Sequence, residues 1–378
     1  TNVQFFESIY GNKSSKLRKL HNIANSVIVF DEVQMLPTDY LLPFVKSMEE
    51  LVHNYNCTIV LCSATQPELE RFIPKKVICG EICGNIKELY NSFNRTKIQF
   101  IGTIKVDELL SRITVEHQCL IIVNTKKQAN KLFERLTKES KEGFYYLSTY
   151  MCPAHRLDVI GEIKRKLKDG EKCIVVSTTL IEAGVDVDFP VVYRVMCGLD
   201  SIIQSAGRCN RERKYDVAYV FVFDFEENDY KLNSKSAYAN YLNQRRSITE
   251  IVASKYNDVS SPEAIKEYFD ILFTNMDGSE LDKKSIIKRL NKGYNLSMPK
   301  DFIFDFEDIA DDFKIIDNNT YSVIVKYDQN AIKIIHELEY VAFNKDLLRK
   351  LQKYAVNLYK HEYIKLKQIN AVKDYGEN

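Results

Sequence analysis

The feature that most constrains this chain is a repeated alternation. Short β-branched runs, several of them apolar at every position, alternate with helical stretches from the start to about residue 225. The runs lie at 27–31, 58–63, 119–125, 144–148, 173–178, 191–196 and 217–223, with helical patterns such as 126–139 and 155–168 between them. A strand without polar alternation suits a parallel sheet covered on both faces. Strand and helix in turn read as a doubly wound α/β architecture. From about residue 226 the texture changes. Residues 231–256 and 262–274 look helical, Pro262 after two serines marking a helix start. An acidic run at 301–313, a strand at 321–327 and a Lys- and Tyr-rich helical tail follow.

Composition enters only as a bound. With 378 residues the chain is long enough for two or three domains. Its 53 basic against 52 acidic residues argue against a protein that coats nucleic acid, yet they permit a local basic channel. No run reaches the roughly 20 apolar residues of a membrane span, and the first residues lack the profile of a signal peptide. The absence of an initial Met suggests a start within a longer reading frame. Most of the nine cysteines sit inside apolar runs, which fits buried reduced thiols in a cytoplasmic protein. Cys79 and Cys83 are close, but no second pair or nearby His completes a zinc set.

Four stretches carry chemistry. In VIVFDEVQ, 27–34, an apolar strand ends in two carboxylates, at the edge where α/β sheets bind ligands. Asp31 is the candidate Mg²⁺ ligand, with Glu32 beside it at the metal and as the base that orients and deprotonates an attacking water. In LCSATQP, 61–67, Ser63 and Thr65 are placed to bond those carboxylates and relay nucleotide state. In STTLIEAGVDVDFP, 177–190, Gly184 allows close backbone approach, and Asp186 suits a ribose or phosphate contact. In QSAGRCNR, 204–211, Gln204, Arg208 and Arg211 fall on one helix-like segment, and the two arginines, three apart, share a face suited to forking onto a γ-phosphate.

The order of these stretches resembles motifs II, III, V and VI of the superfamily 2 helicases. Within that superfamily, GNKSSKLRKLHNIANSVIVFDEVQML (11–36), YYLSTYMCPAHR (145–156) and QSAGRCNR resemble the CRISPR-associated helicase-nuclease of type I interference systems. The resemblance is specific over roughly 1–225 and only positional beyond. It implies an α/β fold of tandem RecA-like parallel sheets, the first incomplete, followed by a mostly helical C-terminal accessory domain. The expected bounds are 1–95, 96–228 and 229–378. It implies ATP and Mg²⁺ as cofactors, with ATP between the two RecA-like domains, and single-stranded DNA crossing their tops by Thr125, Thr178 and Thr179. Recruitment to a guide-RNA surveillance complex is implied as well. Ser205 stands where many relatives have Arg, so a contact made by that Arg does not carry over.

The sequence holds no G-x-x-x-x-G-K-[ST] phosphate loop and no adjacent His-Asp pair for a nuclease. Gly11–Ser14 is no substitute, because Asn12 separates Gly11 from Lys13 and no apolar strand leads into it. Lys13, Lys16, Arg18 and Lys19 read as a solvated or DNA-facing patch. The expectation is a motor portion that hydrolyses ATP only with an N-terminal helicase/nuclease part, on the same gene or another chain. A non-catalytic module docking on DNA or a complex, and a different superfamily 2 helicase, stay open.

Overall fold

The computed structural model describes residues 1–65, 69–74, 77–138, 140–182, 184–232, 236–292, 305–315, 320–337 and 345–374. Residues 66–67 of the second motif, residue 183 of the third, the tip of the expected helix at 139, residues 233–235 of the expected helix and 301–304 of the acidic run lie outside these. The chain divides into two compact units, Thr1–Phe93 with Ser247–Asp317, and Asn94–Arg246 with Asn318–Asn378. The stretch 229–378, read as one further domain, is thus shared between the two units.

In unit 1, β1 (Val27–Phe30) and β2 (Thr58–Leu61) form a two-stranded parallel sheet, Val27 opposite Thr58 and Phe30 opposite Leu61. One face is closed by phenylalanines. Phe30 stacks on Phe6 of the helix Asn2–Ile9 at 5.2 Å, and Phe6 meets Phe44 of the helix Leu41–Asn54 at 4.4 Å. The other face is open, for Val27 and Val29 are 68% and 59% exposed. The expectation of strands covered on both faces therefore fails here. Alternate residues of a strand point to opposite sides, and the aromatic contacts from the helices Asn2–Ile9 and Leu41–Asn54 fall on the side of Phe30. The later segment closes against the same unit. Phe313 packs on Tyr10 at 4.2 Å, and the Tyr40 hydroxyl donates to the Asp312 carbonyl at 3.0 Å.

Unit 2 is built on six parallel strands, β3 (Thr96–Ile104), β4 (Gln118–Val123), β5 (Phe144–Leu147), β6 (Cys173–Thr178), β7 (Val191–Val195) and β8 (Ala218–Phe225), in the order β3-β8-β7-β4-β6-β5. Here the apolar runs do what such runs predict. Cys119, Ile121, Val123, Ile174 and Val176 pack under the helices Val106–Thr114 and Lys126–Leu136. Their neighbours Leu120, Ile122, Cys173, Val175 and Val192 pack on the opposite face, with Ile163 of the helix Pro153–Lys168 and with Ala206. Because all six strands are parallel, the C-terminal ends of β4, β5 and β6 meet at one edge of the sheet. Beyond the sheet, β9 (Thr320–Ile324) and β10 (Ala355–Tyr359) pair antiparallel, and Tyr354, Val356 and Leu358 pack with Cys152 and Ala154 at the start of the helix Pro153–Lys168.

Candidate nucleotide and nucleic-acid sites

Unit 1 carries Asp31, Glu32, Ser63 and Thr65; every other candidate lies in unit 2. The backbone leaves β1 at Phe30 and turns sharply, with Glu32 in the left-handed region at φ 54°. A non-glycine residue held there costs on the order of 1–3 kcal/mol, a cost that functional turns often carry. The turn brings the Glu32 carboxylate to the Gln34 amide, which donates to Oε2 at 2.5 Å. The Gln34 carbonyl in turn faces the Ser63 hydroxyl at 2.5 Å. Ser63 accepts from the Thr65 N–H at 3.0 Å and lies 2.7 Å from the Thr65 carbonyl, so its single proton serves Gln34 or Thr65 but not both. The first two motifs are thereby wired together by Gln34, a residue to which the sequence alone assigns no role. The Thr65 hydroxyl, fully buried, has no hydrogen-bond partner among the described residues.

The donor set suits a nucleotide-bound cation. Asp31 and Glu32 are exposed neighbouring carboxylates, and among the described residues no group of three or more His, Cys, Asp or Glu side chains is placed to hold a metal ion by itself. Mg²⁺ is commonly held by one or two carboxylates, with substrate phosphates and water completing its octahedron.

In unit 2 the third and fourth motifs are sewn together through backbone. Phe189 N–H donates to the Arg208 carbonyl at 3.0 Å, and Asn210 N–H returns to the Phe189 carbonyl at 2.9 Å. These bonds correct the reading of one shared helix. The helix Leu199–Ala206 ends before either arginine, and Asn210 turns left-handed at φ 49°, its amide held by the Arg95 and Tyr215 carbonyls. The two arginines consequently have different partners. The Arg208 guanidinium donates Nε–H to the Ile181 carbonyl at 2.9 Å and a second N–H to the Glu182 carbonyl. Arg211 pairs with Asp186 at 3.1 Å through side chains 45% and 71% exposed, and its own N–H bonds Asp188 at 2.6 Å. Arg95, with burial and the nearby Arg213 and Arg211 charges pushing its guanidinium below the usual value, adds positive charge beside Arg211. Gly184 sits at φ 72°, a left-handed conformation that favours glycine. Gln204 is half-buried on the helix Leu199–Ala206.

Beneath this loop lies a charged network that sequence reading missed. Arg194, on β7 and 1% exposed, forms an ion pair with Glu182 at 3.1 Å through Nε, in poor hydrogen-bond alignment. Its other nitrogens donate to Asn124 Oδ1 at 2.7 Å, the Val195 carbonyl at 2.9 Å and Ser201 at 3.0 Å. Glu182 also accepts from Ser201 at 2.7 Å and Ser205 at 3.1 Å. Burial raises the Glu182 carboxyl above its ordinary range against the pull of Arg194. Ser205 thus meets this carboxylate as a neutral group whose single proton is also within reach of the Ser201 carbonyl at 2.9 Å, while the counter-charge comes from β7. An Arg within VVYRV was the available signal, since a charge inside a buried strand demands a partner.

The three threonines occupy the common edge. Thr125 caps the helix Lys126–Leu136, its hydroxyl accepting from Gln128 N–H at 3.1 Å in a reciprocal capping box. Thr178 ends β6 almost buried, and Thr179, exposed, opens the turn that follows.

Comparison with known proteins bears on this geometry. Residues 115–214 match the family described as CRISPR-associated nuclease/helicase Cas3, C-terminal. The chain is 24% identical over 388 aligned positions to the CRISPR-associated nuclease/helicase Cas3 of Methanothermobacter thermautotrophicus, covering 91% of this chain and 45% of that protein. The crystal structure of T. fusca Cas3 with ADP matches at a TM-score of 0.64 and 14% identity, over 95% of this chain and 50% of that one. A chain of a CRISPR RNA-guided surveillance complex, pre-nicking, matches at 0.58 and 15%, over 95% and 52%. The chain spans about half the length of these relatives. Residues 115–214 are thus similar to the C-terminal part of the CRISPR-associated nuclease/helicase Cas3 family, and the chain as a whole shares the fold of T. fusca Cas3.

Proposed function

We propose that the chain is the motor portion of an ATP-dependent single-stranded DNA translocase in type I CRISPR interference. It works with an N-terminal part that supplies the phosphate loop, on the same gene or another chain. The observation that carries this reading is the Glu32–Gln34–Ser63 relay on the end of β1. Asp31 and Glu32 would hold Mg²⁺, which neutralises charge on the transferred phosphate. Glu32 orients the attacking water and takes its proton. Gln34 holds that carboxylate in place and passes any shift of it to Ser63 and Thr65. Arg211, exposed, is the γ-phosphate contact; Arg208, held on two loop carbonyls, positions the loop that carries Gly184 and Asp186. Gln204 and Asp186 contact the nucleotide, while Thr125, Thr178 and Thr179 line the DNA path. T. fusca Cas3 is known with ADP and with AMPPNP, which supports ATP as the nucleotide, and the match to a surveillance complex supports a guide-RNA partner. Without the phosphate loop this chain alone should release little phosphate from ATP.

The test is Glu32→Gln in the motor assembled with its N-terminal part. A carboxamide takes no proton, so ATP should bind with Mg²⁺ through Asp31 while hydrolysis is lost. Hydrolysis at the wild-type rate in this variant removes Glu32 from the base role.

A further inference from the structure

The C-terminal residues of unit 2 build a feature that nucleotide hydrolysis does not use. The Lys126 ammonium lies over the Tyr150 ring, 4.1 Å from its centroid, and over the Tyr359 ring at 4.7 Å. Tyr150, just past β5, donates its hydroxyl to Glu362. The same carboxylate accepts the Tyr359 N–H at 2.8 Å, at the start of the helix Lys360–Gln368. Glu362 is therefore engaged inside the cluster and fixes the setting of both tyrosines. Tyr359 in turn stacks on His361, the rings 5.9 Å apart and 7° from parallel.

These rings are held by their neighbours yet partly exposed. Tyr359 is 51% and Tyr150 39% exposed, and His361 and Lys360 are exposed as well. Rings serving only to fasten β10 to the sheet would bury their faces, as Tyr354 does beside them. Pre-set aromatic faces with lysines among them match one ligand chemistry closely. Bases stack on such rings with little regard to sequence, and ammonium groups meet the phosphates. Lys126 is also the first residue of the helix capped by Thr125, so the cluster is continuous with the sheet edge that holds the candidate DNA contacts.

We propose that Tyr359 and His361, backed by Tyr150 and Lys126, form a base-stacking platform for single-stranded nucleic acid. This deepens the reading of the chain as a nucleic-acid motor and rests on it. Through the platform, the end of β10 and the start of the helix Lys360–Gln368 hold the strand by its bases, where the threonine edge meets its backbone.

The experiment uses the full chain without ATP. Fluorescence anisotropy compares a fluorescein-labelled oligothymidylate of roughly 12 nucleotides, within the usual site sizes, with an abasic oligomer of the same length and charge. The wild-type chain should prefer the base-bearing strand by about 5- to 150-fold, the affinity equivalent of one base stacked on an aromatic ring. Tyr359→Ala and His361→Ala should each cut that preference at least about fivefold and leave abasic binding unchanged. Tyr359→Phe, which keeps the ring, should retain it. Lys126→Ala should weaken both ligands alike and lower the salt dependence by about one charge. Preference undiminished in both alanine variants, or absent from the wild type, overturns the platform. If Tyr359→Ala does not fold, the exposed His361→Ala decides alone. The hydrolysis reading is scored separately, by phosphate release from the assembled motor, so either can fail without the other.

Discussion

β1 and β6 start from similar sequences and end in opposite surroundings. VIVF in unit 1 leaves two valines more than half exposed, whereas CIVVST in unit 2 is buried at every position. The difference lies in what stands beside each strand. β6 has a neighbour on either side and helices on both faces, and among the described residues β1 has one neighbour and one covered face. An apolar run specifies a strand able to be buried; only the surrounding elements decide whether it is. Unit 2 holds its edge residues on a finished scaffold, while unit 1 presents its two carboxylates from a sheet with an open side.

Amide hydrogen exchange gives the largest contrast. Protection in a finished core approaches the global stability of about 5–15 kcal/mol, and a lone strand pair opens locally at far lower cost. Amides of β4, β6 and β7 should therefore exchange at least about 10⁴-fold more slowly than those of β1 and β2, a gap of roughly 5 kcal/mol. Equal protection of the two sets would mean that the open face of β1 is no weakness. Adding the N-terminal part should narrow the gap.

A smaller effect comes from the buried pair in unit 2. Removing one partner of such a pair leaves a charge unpaired in the interior, at a cost of about 3–5 kcal/mol. Arg194→Met should destabilise unit 2 by that amount in urea unfolding, with β1 and β2 unaffected. The double variant Arg194→Met with Glu182→Leu should be less destabilised than the sum of the singles. A loss below about 1 kcal/mol in the single variant, the scale of an exposed pair, would contradict the network described.

Core truncation sharpens the comparison at the smallest scale. Ile121→Val in β4 removes one buried methylene and should cost about 0.5–1.5 kcal/mol. Val29→Ala in β1, larger on paper, should stay within about 0.5 kcal/mol because the side chain is already in water. A cost for Val29→Ala above that of Ile121→Val would show that its face is covered in solution.

How much of this was legible follows the same division. Strands at 173–178 and 191–195 could be read because uninterrupted apolar residues left few alternatives. β3 escaped, since TKIQFIGTI mixes polar residues into an edge strand with a register shift beside Gly102. The motif residues stood out by order and type. Their wiring did not: Gln34 needed the left-handed Glu32, and Arg194 needed Asn124, Glu182 and Ser201 brought from three separate segments. Spacing alone suggested that Arg208 and Arg211 share a helix face, because the left-handed Asn210 between them is invisible to a count of residues.

The most direct measurement returns to those arginines. In the assembled motor, single-turnover phosphate release should fall by about 10³–10⁵ in Arg211→Ala, the range for an arginine finger, while ATP affinity changes little. Arg211→Lys should fail nearly as badly, because an ammonium cannot reproduce the planar fork. Release within about threefold of wild type, under roughly 0.7 kcal/mol in the barrier, in Arg211→Ala and Arg208→Ala alike would reduce both to surface contacts and contradict the assignment of this chain as an ATP-driven motor.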